Sequence, residues 1–122
     1  QMCIRDSYTL CLASNGTGWV QEGRLKSSGI LPLLDRVFIS EYLGANKPQL
    51  GFFDACFASL PGVKRSESLM LGDSLTSDML GGKIAGMHTC WYNPNRLPLP
   101  TDGTVEYQIH RLPDLLPLLE KL

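Results

Sequence analysis

Short apolar runs closed by Gly, Pro or Asn recur along this chain, and between them apolar residues return at helical spacing. "YTLCLA", residues 8–13, is a β-prone run that stops at the turn cluster Ser14-Asn15-Gly16. From about Gly18 to Ser28 the pattern suits a helix, with Gly29 as its C-terminal stop. "RVFIS", 36–40, predicts the next strand and leads into the loop "EYLGANKP", punctuated by Gly44 and Pro48. Pro48 suits the first position of a helix, where its missing N–H would have no intrahelical partner. Phe52, Phe53, Cys56, Phe57 and Leu60 then recur on one helical face, and Pro61-Gly62 ends the helix.

"SLMLG", 68–72, predicts a strand, Thr76 to Ala85 a helix, and "MHTCWY", 87–92, a further strand. A loop rich in Pro and Asn runs from Asn93 to about Gly103, and "TVEYQI" after it reads as an edge strand of mixed polarity. The last helix carries Leu112, Leu115, Leu116 and Leu119 at i, i+3, i+4 and i+7, with Pro117 bending its start. Strands alternating with helices predict the α/β class with a mainly parallel sheet. The chain has no internal repeat.

Composition narrows the function classes. The 122 residues, 43% apolar and 19% charged, describe one ordinary globular domain. The formal net charge is −1 with the signs mixed, so no basic patch invites nucleic acid. No apolar run approaches the roughly 18 residues of a membrane span. Cys3, Cys11, Cys56 and Cys90 are scattered, without a CxxC pair or a nearby His, and read as reduced core residues of a cytoplasmic protein. "QMCIRDS", residues 1–7, shows neither a helix nor a strand period and reads as a non-native leader, leaving 8–122 as the domain.

In open α/β sheets the chemistry gathers at the carboxyl ends of strands. The first such end offers Ser14, Asn15 and Gly16; the second, through its loop, offers Lys47; the third offers Asp73 and Asp78. Two carboxylates at a strand–helix junction suit a hard cation such as Mg²⁺, which takes oxygen ligands and keeps several waters. A Ser hydroxyl and the N–H groups of a tight turn donate to phosphate oxygens, and a Lys ammonium offsets phosphoryl charge. Each residue also has a plainer use: Asp73 or Asp78 as a helix cap, Ser14-Asn15-Gly16 as a turn, Lys47 as a solvated surface residue. His88 and His110 lack ligand-spaced partners and read as structural. "GTGWVQ" from Gly16 lacks the closing Gly or Ala of a dinucleotide fingerprint, since Gln21 stands there, and there is no GxxxxGK[ST].

"LCLASNG", "SEYLGANKP" and "LMLGDSLTSDMLGG" follow one another in the order and spacing of the second, third and fourth motifs of haloacid dehalogenase-type (HAD) hydrolases. The chain resembles that superfamily from about residue 8 to its end, and "GGKIAGMHTCWYN" looks most like the bacterial pyrimidine 5'-nucleotidase branch. The resemblance implies a Rossmann-like three-layer sandwich and a small phosphorylated metabolite as substrate, among them pyrimidine nucleoside monophosphates. It gives Ser14 the phosphoryl oxygens, Asn15 and Gly16 the adjoining turn, Lys47 the charge of nucleophile and phosphoryl group, and Asp73 and Asp78 the Mg²⁺. The reaction implied is attack by an aspartate on phosphorus, then hydrolysis of the aspartyl-phosphate.

One part of the pattern is missing. The family's DxD motif closes the first, central strand and must precede Ser14, yet the sole acid there is Asp6, with no apolar strand before it and no second Asp two residues away. The helical cap between the first and second motifs is missing too. The expectation is the carboxyl-terminal portion of a HAD-like core, without its nucleophile and inactive alone, with two central strands each short of a neighbour or paired directly with one another. The competing expectation is a non-catalytic α/β module that keeps a weak cation or phosphate site. A dehalogenase would not need the metal that Asp73 and Asp78 suit.

Overall fold

A computed structural model describes residues 9–15 and 35–121. The leader 1–7, Cys3, Asp6, Gly16 and the helix expected over 18–28 lie outside the described residues. The chain divides into two compact units, Gln1–Lys47 and Pro48–Leu122.

In the first unit, β1 (Cys11–Ser14) and β2 (Arg36–Ile39) pair in parallel, from Cys11↔Arg36 to Ser14↔Ile39. Asp35 sets this register from just outside the ladder. Its N–H donates to the Leu10 carbonyl at 2.7 Å, and its carboxylate accepts the Leu10 N–H at 2.7 Å. Phe38 and Ile39 are buried. The strand expected to reach Ser40 stops one residue earlier, because Ser40 opens the one-turn helix α1 (Ser40–Leu43). Gly44, at φ 74°, ends that turn in the left-handed region that favours glycine, and its N–H returns to the Ser40 carbonyl at 3.0 Å.

The second unit opens with α2 (Leu50–Ala58). Pro48 is not its first residue: Gln49 stands between them with an extended backbone (ψ 134°), so helical geometry begins only at Leu50. Of the expected face, Phe52, Phe53 and Cys56 are buried, with the two rings edge to face at 5.3 Å. Phe57 is half-buried beneath the Arg65 guanidinium, 4.9 Å from its ring centre, and Leu60 lies past the helix end. Arg65, in a 3₁₀ turn (Arg65–Glu67), also donates to Asp54 at 2.7 Å and to the Ala85 carbonyl at 3.3 Å.

Three parallel strands follow in the order β3 (Leu69–Gly72), β4 (His88–Tyr92), β5 (Tyr107–Ile109). Side chains alternate between faces, so Met70 and Gly72 share one face with their register partners Thr89 and Trp91. The helix α3 (Leu80–Ile84) lies close over that face. A Cβ on Gly82 would stand 2.9 Å from both Met70 Cβ and Thr89 Cγ2, and one on Gly81 would stand 2.7 Å from the Phe53 ring. Only a side chain of hydrogen permits that approach.

The strand expected over 104–109 shortens to β5. The Thr104 N–H and hydroxyl both go to the Asp102 carboxylate, its carbonyl accepts the Thr89 hydroxyl, and the Glu106 N–H goes to Thr89 Oγ1. Side chains have taken the groups a ladder would use. The last helix begins as a 3₁₀ turn (Leu112–Asp114) and continues as α4 (Leu115–Lys121), with Pro117 in its first turn, where the ring is tolerated.

Every described pairing is parallel, as the alternation predicts, and the class is α/β with the parallel sheets of a Rossmann-like fold. Among the described residues β1 pairs only with β2, and β3 pairs only with β4. Each keeps one edge without a described strand.

Candidate functional site

In the first unit the carboxyl end of β1 gathers Ser14, Asn15 and Lys47. The Asn15 carboxamide grips the Lys47 main chain at two points: Nδ2 donates to the carbonyl at 3.2 Å, and Oδ1 accepts the N–H at 2.9 Å. So held, Lys47 sends its ammonium back to the Ala13 carbonyl at 2.9 Å, one residue before Ser14. The Ser14 hydroxyl donates to the Asn15 carbonyl at 3.2 Å. Lys47 is half-buried rather than a solvated surface residue. A hydroxyl and an ammonium at one strand end can bind an oxyanion. The sequence assigned Asn15 to the turn; holding a segment 32 residues away is a use that only folding reveals.

In the second unit Gly72 ends β3, and the chain turns through Asp73 and Ser74 into a π-helical turn (Leu75–Met79) rather than the ordinary helix expected from Thr76. The Ser74 carbonyl accepts N–H groups from both Asp78 and Met79, each at 3.1 Å, which widens the turn. Such turns recur at functional sites. Ser74 is the cap, its hydroxyl accepting the Ser77 N–H at 3.1 Å. Asp78 reaches back to accept the Ser74 N–H at 3.3 Å, a capping-box arrangement shifted by one residue. The plain capping reading thus holds for part of Asp78's role and not for Asp73.

Burial separates the two acids. Asp78 is 6% exposed, and its carboxylate fills the space a Gly72 side chain would occupy. Glycine at 72 is therefore a steric requirement of the carboxylate at 78. Asp73 is exposed, and its carbonyl accepts the Trp91 indole N–H at 3.1 Å. Among the described residues no group of three His, Cys, Asp or Glu side chains is gathered to hold a metal. Two carboxylates flanking one strand end do not make an all-protein cage. They do fit Mg²⁺, which binds through one or two carboxylates and takes its other oxygens from water and phosphate.

Sequence reading missed Asn93, the first residue after β4. It is 2% exposed and grips Leu97 as Asn15 grips Lys47, with Nδ2 to the carbonyl and Oδ1 to the N–H, both at 2.9 Å. A third bond runs from Nδ2 to Gln108 Oε1 at 3.2 Å. Asn directly after an apolar strand is the signal shared by both positions. His88, at the other end of β4, faces Glu106 Oε1 at 2.8 Å through Nδ1 and the Ser66 carbonyl at 2.9 Å through Nε2. The hydrogen bond to Glu106 raises its pKa, which suits a ring that donates from both nitrogens. Cys11, Cys56 and Cys90 are free thiols, and among the described residues no helix is long and apolar enough to cross a membrane.

The chain is similar to known proteins. A family model described as HAD-hydrolase-like matches residues 44–96. The pyrimidine 5'-nucleotidase of Streptococcus pneumoniae is 41% identical over 118 residues, covering 97% of this chain and 50% of that protein. The pyrimidine 5'-nucleotidase of Escherichia coli is 34% identical, covering 97% and 52%. The structure of a Bacillus subtilis HAD-hydrolase bound to magnesium aligns with a TM-score of 0.92 at 34% identity, covering 95% of this chain and 51% of that one. The chain spans about half the length of the curated relatives it matches. It belongs to the HAD-like hydrolase superfamily.

Proposed function

We propose that this chain is part of a Mg²⁺-dependent phosphomonoester hydrolase acting on a small phosphorylated metabolite, with pyrimidine nucleoside monophosphates the first candidates. The observation that carries the reading is the pair of acids at the end of β3, one of them buried where only a glycine leaves room. The nucleotidase relatives supply the substrate class.

In this reading Ser14 donates to the phosphoryl oxygens, and the Asn15 clamp and Gly16 turn shape their surroundings. Lys47 offsets charge on the nucleophile and the transferring group. Asp73 and Asp78 hold Mg²⁺, which supplies charge stabilisation to the phosphoryl oxygens when bound. A carboxylate attacks phosphorus, the alcohol leaves with a proton, and water then cleaves the acyl-phosphate, regenerating the carboxylate and releasing phosphate. None of the residues before Ser14 is assigned that carboxylate, so the 122 residues alone are expected to bind without turnover. A cytoplasmic location belongs to the same reading, since its substrates and free thiols are at home there.

Two experiments test it. Mg²⁺ titration by calorimetry is expected to show binding to the chain and its loss in Asp73→Asn, with no release of phosphate from pyrimidine nucleoside monophosphates. Turnover by the 122 residues would defeat the assignment of the nucleophile elsewhere. Reading the source DNA upstream of the Tyr8 codon is expected to reveal an apolar strand closed by DxD. A start codon and stop-bounded frame for the short chain would remove the aspartyl-phosphate route and leave a non-catalytic module.

A further inference from the structure

We propose that Trp91 is a positioning residue of the cation site, its indole N–H tethering the main chain at Asp73; this rests on the reading of Asp73 as a Mg²⁺ ligand. Three observations converge on it. The Trp91 side chain is 2% exposed, so its N–H must find an acceptor, and the acceptor is the Asp73 carbonyl at 3.1 Å. Gly72↔Trp91 is the last register pair of β3 and β4, so the backbone at Asp73 has already left the ladder. The indole supplies one hydrogen bond just where the sheet ceases to supply them.

The third observation is one of place. Trp91 stands on the same sheet face as the bare Cα of Gly72, and that is the space the Asp78 carboxylate fills. The indole therefore borders the ground between an exposed acid whose peptide it holds and a buried acid packed on its register partner. A carboxylate on a tethered peptide meets a cation with less ordering still to be done. Partners that orient a metal ligand without touching the metal typically change affinity by about 10–100-fold. A tryptophan buried only for packing would leave metal affinity alone.

The test uses the full chain with Mg²⁺ as the only added ligand. Trp91→Phe keeps an aromatic ring in the core and removes the N–H. Calorimetry is expected to show Mg²⁺ bound about 10-fold more weakly than in wild type, with a larger loss in Asp73→Asn. Wild-type affinity in Trp91→Phe alongside a loss in Asp73→Asn would overturn the positioning role and leave the site reading intact. Unchanged affinity in Asp73→Asn would overturn the site reading and this inference with it. Should Trp91→Phe fail to fold, the wild-type indole N–H resonance decides, assigned by its persistence in Trp19→Phe. It is expected to shift along the calorimetric Mg²⁺ curve, and no shift would overturn the tether.

Discussion

The two ends of the three-stranded sheet carry similar polar groups and treat them differently. At the amino end Glu106 meets the His88 ring, which also holds the Ser66 carbonyl, and the Thr89 hydroxyl donates to the Thr104 carbonyl at 2.6 Å while accepting the Glu106 N–H at 3.0 Å. There an acid is matched with a ring that protonation makes cationic, and the result is a brace between segments. At the carboxyl end two acids flank one strand end, Asp73 exposed and Asp78 packed on Gly72. One edge is finished by its own side chains; the other is the proposed cation site.

The largest effect expected from breaking this contrast is at Gly72. Gly72→Ala drives a methyl into the Asp78 carboxylate, and overpacking of this kind costs about 1–3 kcal/mol. Chemical denaturation should report that loss, and Mg²⁺ titration should report loss of binding. Asp73→Asn separates the two effects. Without metal its unfolding free energy should stay within about 0.5 kcal/mol of wild type, as for most surface substitutions, while Mg²⁺ binding is lost.

A smaller effect is expected at the amino end. Glu106 raises the His88 pKa, so the pair's stabilisation is fully present below the ring's ordinary value of 6.5 and is lost as pH rises through the higher folded value. Both groups are more than a third exposed, which limits the effect to about 0.2–1 kcal/mol. Melting midpoints followed across that range should fall with rising pH in wild type, and the fall should flatten in Glu106→Gln. The smallest response belongs to the middle of the sheet. Burial pushes the Cys90 thiol up to about 11, so thiol reagents at mildly alkaline pH should leave it unmodified until the chain unfolds. Early labelling, located by mass spectrometry, would mean that the sheet between the two ends opens.

The strands were legible where an apolar run met a hard stop. β3 ends at Gly72 and β1 at Ser14, within a residue of the runs that predict them, because burial demands apolar side chains and turns demand Gly, Asn or Ser. Element ends were less legible. Ser40 opens a helix although it closes an apolar run, and residues 104–106 leave the ladder because Asp102 and Thr89 claim their polar groups. The π turn was invisible, since a period cannot be read from a single turn.

The sequence by itself determined the α/β class, the superfamily, and the candidate residues for a phosphate or a cation, because side-chain chemistry and motif order are properties of the string. Tertiary structure decided what those residues do for one another. It turned Asn15 from a turn residue into the clamp on Lys47, buried one of two equivalent aspartates, and pointed a core tryptophan at the peptide of the other. Each of these is a contact between groups distant along the chain or on opposite sides of a turn. Hydrogen bonds and close packing act over a few ångströms of space, so spacing along the chain could not reveal them.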